Sequence, residues 1–263
     1  MKKKLGRAAR WAKRPQLVAA LVALGLVAVS QLFTNRGGPG GLEPVLPANA
    51  PYSATADVKA PLSHIDCAKI PCINISFDDG PNPVTTPQIL TILEQNHVRA
   101  NFFVVGLRAA AMPQILQREY QDGHEIGNHS WSHPDLTTLS REQVQAQVLQ
   151  TQAAVVAAGV PAPRLFRPPY GAMNPMVKSQ IHMTLAMWNV DPEDWGSKDP
   201  AKLAERVIAT AKPGGVIDMH DIDAATVTAL PAILQNLKER FQFVTMSQMF
   251  NLAPNQHGEF FGR

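Results

Sequence analysis

Two adjacent carboxylates, Asp78-Asp79, end the run I-N-I-S-F-D-D-G-P over residues 73–81. Asn74 to Phe77 alternate as in a strand, and Gly80-Pro81 stops it. A strand that delivers two carboxylates just where the chain turns resembles a catalytic rim more than a folding device. Neighbouring strand residues point opposite ways, so one carboxylate could bind a metal while the other takes a proton. Downstream, His129-Ser130-Trp131-Ser132-His133 places two imidazoles four residues apart, close enough to meet one metal from a helical turn or tight loop. With one carboxylate they form a three-ligand set that leaves positions open for water and substrate. Taken alone, Asp-Asp-Gly is also an ordinary solvated turn, and a lone His pair is often surface or core material. Their joint presence gives the pair its meaning.

The elements that must hold these groups alternate. After the first strand, the pattern predicts a helix over 83–96, a strand over 100–105, a helix over 112–121 and a short strand over 124–127. Ser140 with Gln143 forms a capping box for a long helix to Ala158. A strand over 164–167 follows, and Asn174-Pro175 opens a helix. Beyond it come a strand over 184–190, a helix over 201–211, a strand over 216–219, a helix over 227–240 and a strand over 241–245. The expected class is α/β. About seven βα units in some 200 residues fit a barrel better than an open doubly wound sheet, because no Gly-rich phosphate loop follows the first strand. The polar motifs fall just after strands, which is the catalytic face of such barrels.

The chain has 263 residues, 45% hydrophobic and 17% charged, enough for a sizeable core. Its net charge of +3 misleads, because residues 1–36 hold eight of the 24 basic residues and no acidic one. The remainder has 16 basic against 21 acidic residues, so no charge argument favours nucleic acid. Leu17–Phe33 is apolar and follows a lysine cluster, reading as a signal peptide or signal anchor that sends the rest outside. Ala28-Val29-Ser30 and Ala48-Asn49-Ala50 resemble cleavage signatures. Residues 37–60 are a Pro-, Gly- and Ala-rich linker, and 61–263 form the catalytic domain, read as monomeric. In an exported domain, Cys67 and Cys72 read as a small disulfide loop. A zinc pair is the rival, but there is no second cysteine pair.

Three further motifs complete the set: Arg167-Pro168-Pro169-Tyr170, Asp191-Pro192-Glu193-Asp194-Trp195, and Val216-Ile217-Asp218-Met219-His220-Asp221. Together with S-F-D-D-G-P and H-S-W-S-H, in this order and spacing, they resemble the five motifs of the polysaccharide deacetylase (NodB-type carbohydrate esterase) family over about residues 72–245. The resemblance implies a distorted (β/α) barrel and one divalent cation, zinc by first choice with cobalt or another as substitute. It implies Asp79, His129 and His133 as metal ligands, Asp78 as general base, and Arg167 holding Asp78 ionised. Pro168 and Tyr170 would lie on the substrate side, with the Tyr170 N–H facing the oxyanion and Trp195 walling the site. His220 would be the general acid, oriented by Asp191, and Asp194 would pair with Arg167. One residue departs from the pattern: Asp218 stands where the family usually has leucine. Either a small register shift lets Ile217 or Met219 supply an apolar wall, or Asp218 faces the site as a carboxylate. His124 reads as structural. The function implied is removal of N-acetyl groups from an extracellular N-acetylglucosamine polymer, peptidoglycan or chitin-like. The alternatives are an O-acetyl esterase acting on xylan and a non-catalytic glycan-binding module.

Overall fold

The structure is a computed structural model, and it describes residues 65–253 and 256–262. All of these lie in the compact unit 58–263. The basic N-terminus, the Leu17–Phe33 segment and the linker lie outside the described residues. Among the described residues, no helix is long and apolar enough to cross a membrane.

Strand β1 (Cys72–Asp78) is the hub. It pairs in parallel with β6 (Gly215–His220) along Ile73–Asp78 on one edge. Its other edge is shared by β2 (Asn101–Val104), at Ser76–Asp78, and β7 (Gln242–Phe243), at Cys72 and Ile73. From β2 the sheet runs through β3 (Glu125–Asn128), β4 (Leu165–Phe166) and β5 (Thr184–Ala186) to β8 (Glu259–Phe260), all parallel. The order rises from β1 to β5 without the reversal of a doubly wound sheet. An isolated parallel bridge between Val190 and Ile217 links the segment after β5 to β6, curling the sheet into a distorted barrel. Because the strands are parallel, their C-terminal ends share one rim.

Alternation sorts the side chains. Ile73, Ile75 and Phe77 of β1, Phe102 and Val104 of β2, and Ile217 and Met219 of β6 join the larger apolar core with the helices. Helix α1 (Thr85–Gln95) contributes Ile89, Leu90 and Leu93 to it. Helix α6 (Pro200–Thr210) adds Leu203 and Val207, and α7 (Ala224–Leu237) adds Leu230, Ile233, Leu234 and Leu237. The opposite parity, Asn74, Ser76 and Asp78 on β1 and Val216, Asp218 and His220 on β6, faces the inside of the curl. The register shift considered for β6 is therefore absent: Ile217 and Met219 face the helices, and Asp218 points inward.

Three expected elements differ, the strand expected over 184–190 being only Thr184–Ala186. The helix around 112–121 is preceded by another, α2 (Gly106–Ala111), and starts only at Pro113 as α3 (Pro113–Gln121). Proline has no N–H to donate and suits a first turn. The strand expected over 241–245 is only two residues long, because Thr245 caps α8 (Met246–Phe250) through a capping box with Gln248. Helix α4 (Arg141–Ala157) has the expected Ser140–Gln143 box, and α5 (Pro175–Gln180) has Asn174 as N-cap. Cys67 and Cys72 are joined by a disulfide at the entry to β1.

Candidate active site

Asp78 is the last residue of β1, and Asp79 leaves the strand with φ 74°. That left-handed step, rather than strand alternation, separates the two carboxylates. Asp79 Oδ1 is buried and accepts no hydrogen bond from the protein. It lies 3.2 Å from His133 Nε2 and 3.6 Å from His129 Nε2.

The two histidines follow β3 on a loop, with Ser130 (φ 66°) and His133 (φ 58°) left-handed. The loop is pinned from α4, where Gln147 Oε1 accepts from the Trp131 and Ser132 N–H groups at 2.8 and 2.9 Å. His129 Nδ1 donates to the Arg167 carbonyl at 2.7 Å, which leaves the Nε2 lone pair facing Asp79. Burial keeps His129 neutral, lowering it to about 3, and also lowers His133. The His133 ring rests against the Tyr170 ring, with centroids 4.6 Å apart.

These residues fit a divalent cation. Asp79, His129 and His133 can each offer a ligand atom, all within 4.8 Å of one another. Two neutral imidazole nitrogens and an orphaned carboxylate oxygen make the three-ligand set of a catalytic zinc site with open positions, and cobalt tolerates the same donors.

Arg167, just beyond β4, is fully buried. Its Nη1 donates to Asp78 Oδ1 at 2.7 Å, Asp218 Oδ1 at 2.6 Å and Ser76 Oγ at 2.8 Å, and its Nε donates to the Ala186 carbonyl at 2.8 Å. Its guanidinium lies 4.0 Å from the Phe103 ring centre, a cation–π contact. The expected Asp194–Arg167 pair is not formed. Asp218 takes that place, because it lies two residues before His220 on the inner face of β6. Burial pushes Asp78 up to about 6 against the pull of Arg167 and His220. Asp218 rises well above the carboxylate range through burial and the charge of Asp78.

Asp194, not Asp191, holds His220. Asp194 Oδ1 lies 2.7 Å from His220 Nδ1, and its Oδ2 accepts from the His220 backbone N–H and from Thr226 Oγ1, both at 2.7 Å. Asp191 instead accepts from the Glu193 N–H at 2.8 Å and the Trp188 indole at 3.4 Å. The reason is local: Glu193 is left-handed (φ 54°), so Asp191 closes its own turn while Asp194 is carried inward. Burial alone would lower His220, but the hydrogen bond and charge of Asp194, then the charges of Asp78 and Asp218, raise it to about 10.

Pro168 opens the turn Pro169–Gly171, in which Tyr170 is left-handed (φ 60°). Tyr170 and Trp195 expose broad ring surfaces at this rim. Past His220, an open cavity of about 460 Å³ is lined by Lys198, Pro200, Ile222, Asp223 and Thr228 among others. His124 is buried, and its Nδ1 accepts from the Ala100 N–H at 3.1 Å, away from the ligand set.

Comparison with known proteins follows the same lines. A family model described as polysaccharide deacetylase matches residues 66–185. A chitooligosaccharide deacetylase of Sinorhizobium fredii is 35% identical over 191 residues, covering 71% of this chain and 86% of the relative. A peptidoglycan-N-acetylglucosamine deacetylase of Listeria monocytogenes is 38% identical over 179 residues, covering 68% of this chain but 38% of the relative. The chain thus spans well under half the length of that protein. The solved peptidoglycan deacetylase PdaC of Bacillus subtilis superposes with a TM-score of 0.69 at 40% identity, covering 71% of this chain and 93% of that one.

Proposed function

Since this chain belongs to the polysaccharide deacetylase family, we propose that it is a metal-dependent hydrolase that removes N-acetyl groups from N-acetylglucosamine residues of an extracytoplasmic polysaccharide, peptidoglycan or a chitin-like chain. One observation carries the reading: Asp79 Oδ1, a buried acceptor without a donor, sits between two imidazole nitrogens and beside the Asp78 carboxylate. The Sinorhizobium and Listeria relatives support the substrate class. The open rim, with Tyr170, Trp195 and the cavity beyond His220, leaves room for sugars flanking the reacting one. The Cys67–Cys72 disulfide supports an oxidising compartment, as does the apolar Leu17–Phe33 segment, which would lead to secretion or a membrane anchor.

Asp79, His129 and His133 would hold a zinc ion, whose Lewis acidity would lower the pKa of a water and polarise the acetyl carbonyl. Asp78 acts as general base. Its Oδ1 is tied to Arg167, and its Oδ2 lies 3.5 Å from His129 Nε2 on the ligand side, where it can take the proton of the attacking water. The Tyr170 backbone N–H meets the developing oxyanion. An amine does not leave as an anion, so a proton must come from the opposite side. His220 supplies it from Nε2, because Nδ1 is committed to Asp194. With His220 raised to about 10, the acid is charged at neutral pH, while Asp78 at about 6 is mostly ionised. The pair thus has the protonation states that acid–base catalysis requires.

The test is to follow acetate and free amine release from N-acetylglucosamine oligomers, peptidoglycan and acetylated xylan. Amine release from either of the first two supports the proposal. Acetate from xylan alone would make the protein an O-acetyl esterase. No release from any of them would leave a glycan-binding module.

A further inference from the structure

Asp221, next to the acid on the chain, is fully buried, and no step above uses it. Its hydrogen bonds reach the end of β1 and the start of α1, which flank the turn that carries Asp79. The Asp221 backbone N–H donates to the Asp78 carbonyl at 3.4 Å, and its carbonyl accepts from Thr85 Oγ1. Its Oδ2 accepts from Thr86 Oγ1, which itself accepts from the Asn82 N–H at 2.7 Å. The chain Asp221–Thr86–Asn82 therefore closes around Asp79-Gly80-Pro81 from behind. The carboxyl also presses on Gly80: a Cβ there would overlap both of its oxygens. Its other oxygen, Oδ1, is buried without a partner. A polar side chain buried at such cost is more than filler.

We infer that Asp221 is a positioning residue for the cation site: its carboxyl, packed on Gly80 and anchored by Thr86, holds the left-handed turn that aims Asp79 at His129 and His133. The Gly at position 80 is then required by the neighbour it must admit. Groups that orient a metal ligand typically contribute about 10–100-fold to metal affinity, so Asp221 acts on binding before it acts on turnover.

The inference rests on the cation site proposed above, and zinc affinity of the full chain tests it, measured by competition with a chromophoric chelator. Asp221→Ala is expected to lose about 10–100-fold in affinity. Thr86→Val, which removes only the anchoring hydroxyl, should lose affinity in the same direction, and Gly80→Ala should do so by displacing the carboxyl. Asp221→Asn keeps shape and an acceptor for Thr86, and should restore most of the binding. A residue that merely supported the fold would lower the melting temperature while the folded protein bound zinc as before. Wild-type affinity in folded Asp221→Ala, or in Thr86→Val should Asp221→Ala not fold, overturns the inference and leaves the cation site standing. A wild-type chain that binds no zinc overturns both.

Discussion

Asp194 grips His220 at two points, its Oδ1 2.7 Å from the ring Nδ1 and its Oδ2 2.7 Å from the backbone N–H. One buried carboxylate thus fixes both the tautomer and the place of the proposed acid. A well-placed acid contributes about 10²–10⁴ in rate. Asp194→Asn should lose a large part of that in kcat with zinc affinity intact, and Asp191→Asn should stay near wild type. Comparable losses in the two variants would contradict this division.

The same contact sets a pH dependence of stability. His220 is raised from 6.5 to about 10, so between those values the folded state holds a proton that the unfolded chain has released. By linkage, the stabilisation is complete below about pH 6.5 and is lost as pH rises towards about 10. Urea unfolding across this window should show wild type losing stability more steeply than Asp194→Asn. Parallel curves would remove the coupling.

Asp78 and Asp218 share one nitrogen of Arg167, but only Asp78 lies on the ligand side. Asp78→Asn should keep zinc and lose most turnover, by about 10²–10⁴. Asp218→Asn should remain active, because the amide keeps an oxygen to accept from Arg167 and Asp218 does not lie on the ligand side. Inactivity of Asp218→Asn equal to that of Asp78→Asn would give Asp218 a direct catalytic part.

The Cys67–Cys72 bond closes a short loop onto the first residue of β1. Loop-closure entropy assigns such a bond about 2 kcal/mol, or roughly 4–8 °C in Tm for a domain of this size. Thermal unfolding of the Cys67→Ser, Cys72→Ser double variant measures it, and an unchanged Tm would mean that the bond only tethers the entry strand.

Much of the architecture could be read in advance where local signals act alone. The alternation in β1, the Ser140–Gln143 box and the Asn174-Pro175 start are each written within a few residues. The two-residue strands β4 and β7 are set by pairing partners instead, too short for periodicity to mark their ends. The site divides the same way. The residues that form the ligand cluster stood in spaced motifs, but the choice between Asp191 and Asp194 hangs on the backbone turn at Glu193, which residue types do not reveal. Asp218 was visible as an oddity, yet its partner is 51 residues away. Asp221 gave no signal beyond following His220, because its role depends on Gly80 and Thr86, which follow the neighbouring strand β1.

The central claim is that Asp79, His129 and His133 hold a cation on which amide hydrolysis depends. The most direct measurement strips the protein of metal and follows acetate released from an N-acetylglucosamine tetramer as zinc is added back. Release should be absent at first, rise to saturation at one zinc per chain, and fail in His129→Ala at the same zinc concentrations. Undiminished release from the stripped protein, or from His129→Ala, would contradict the account.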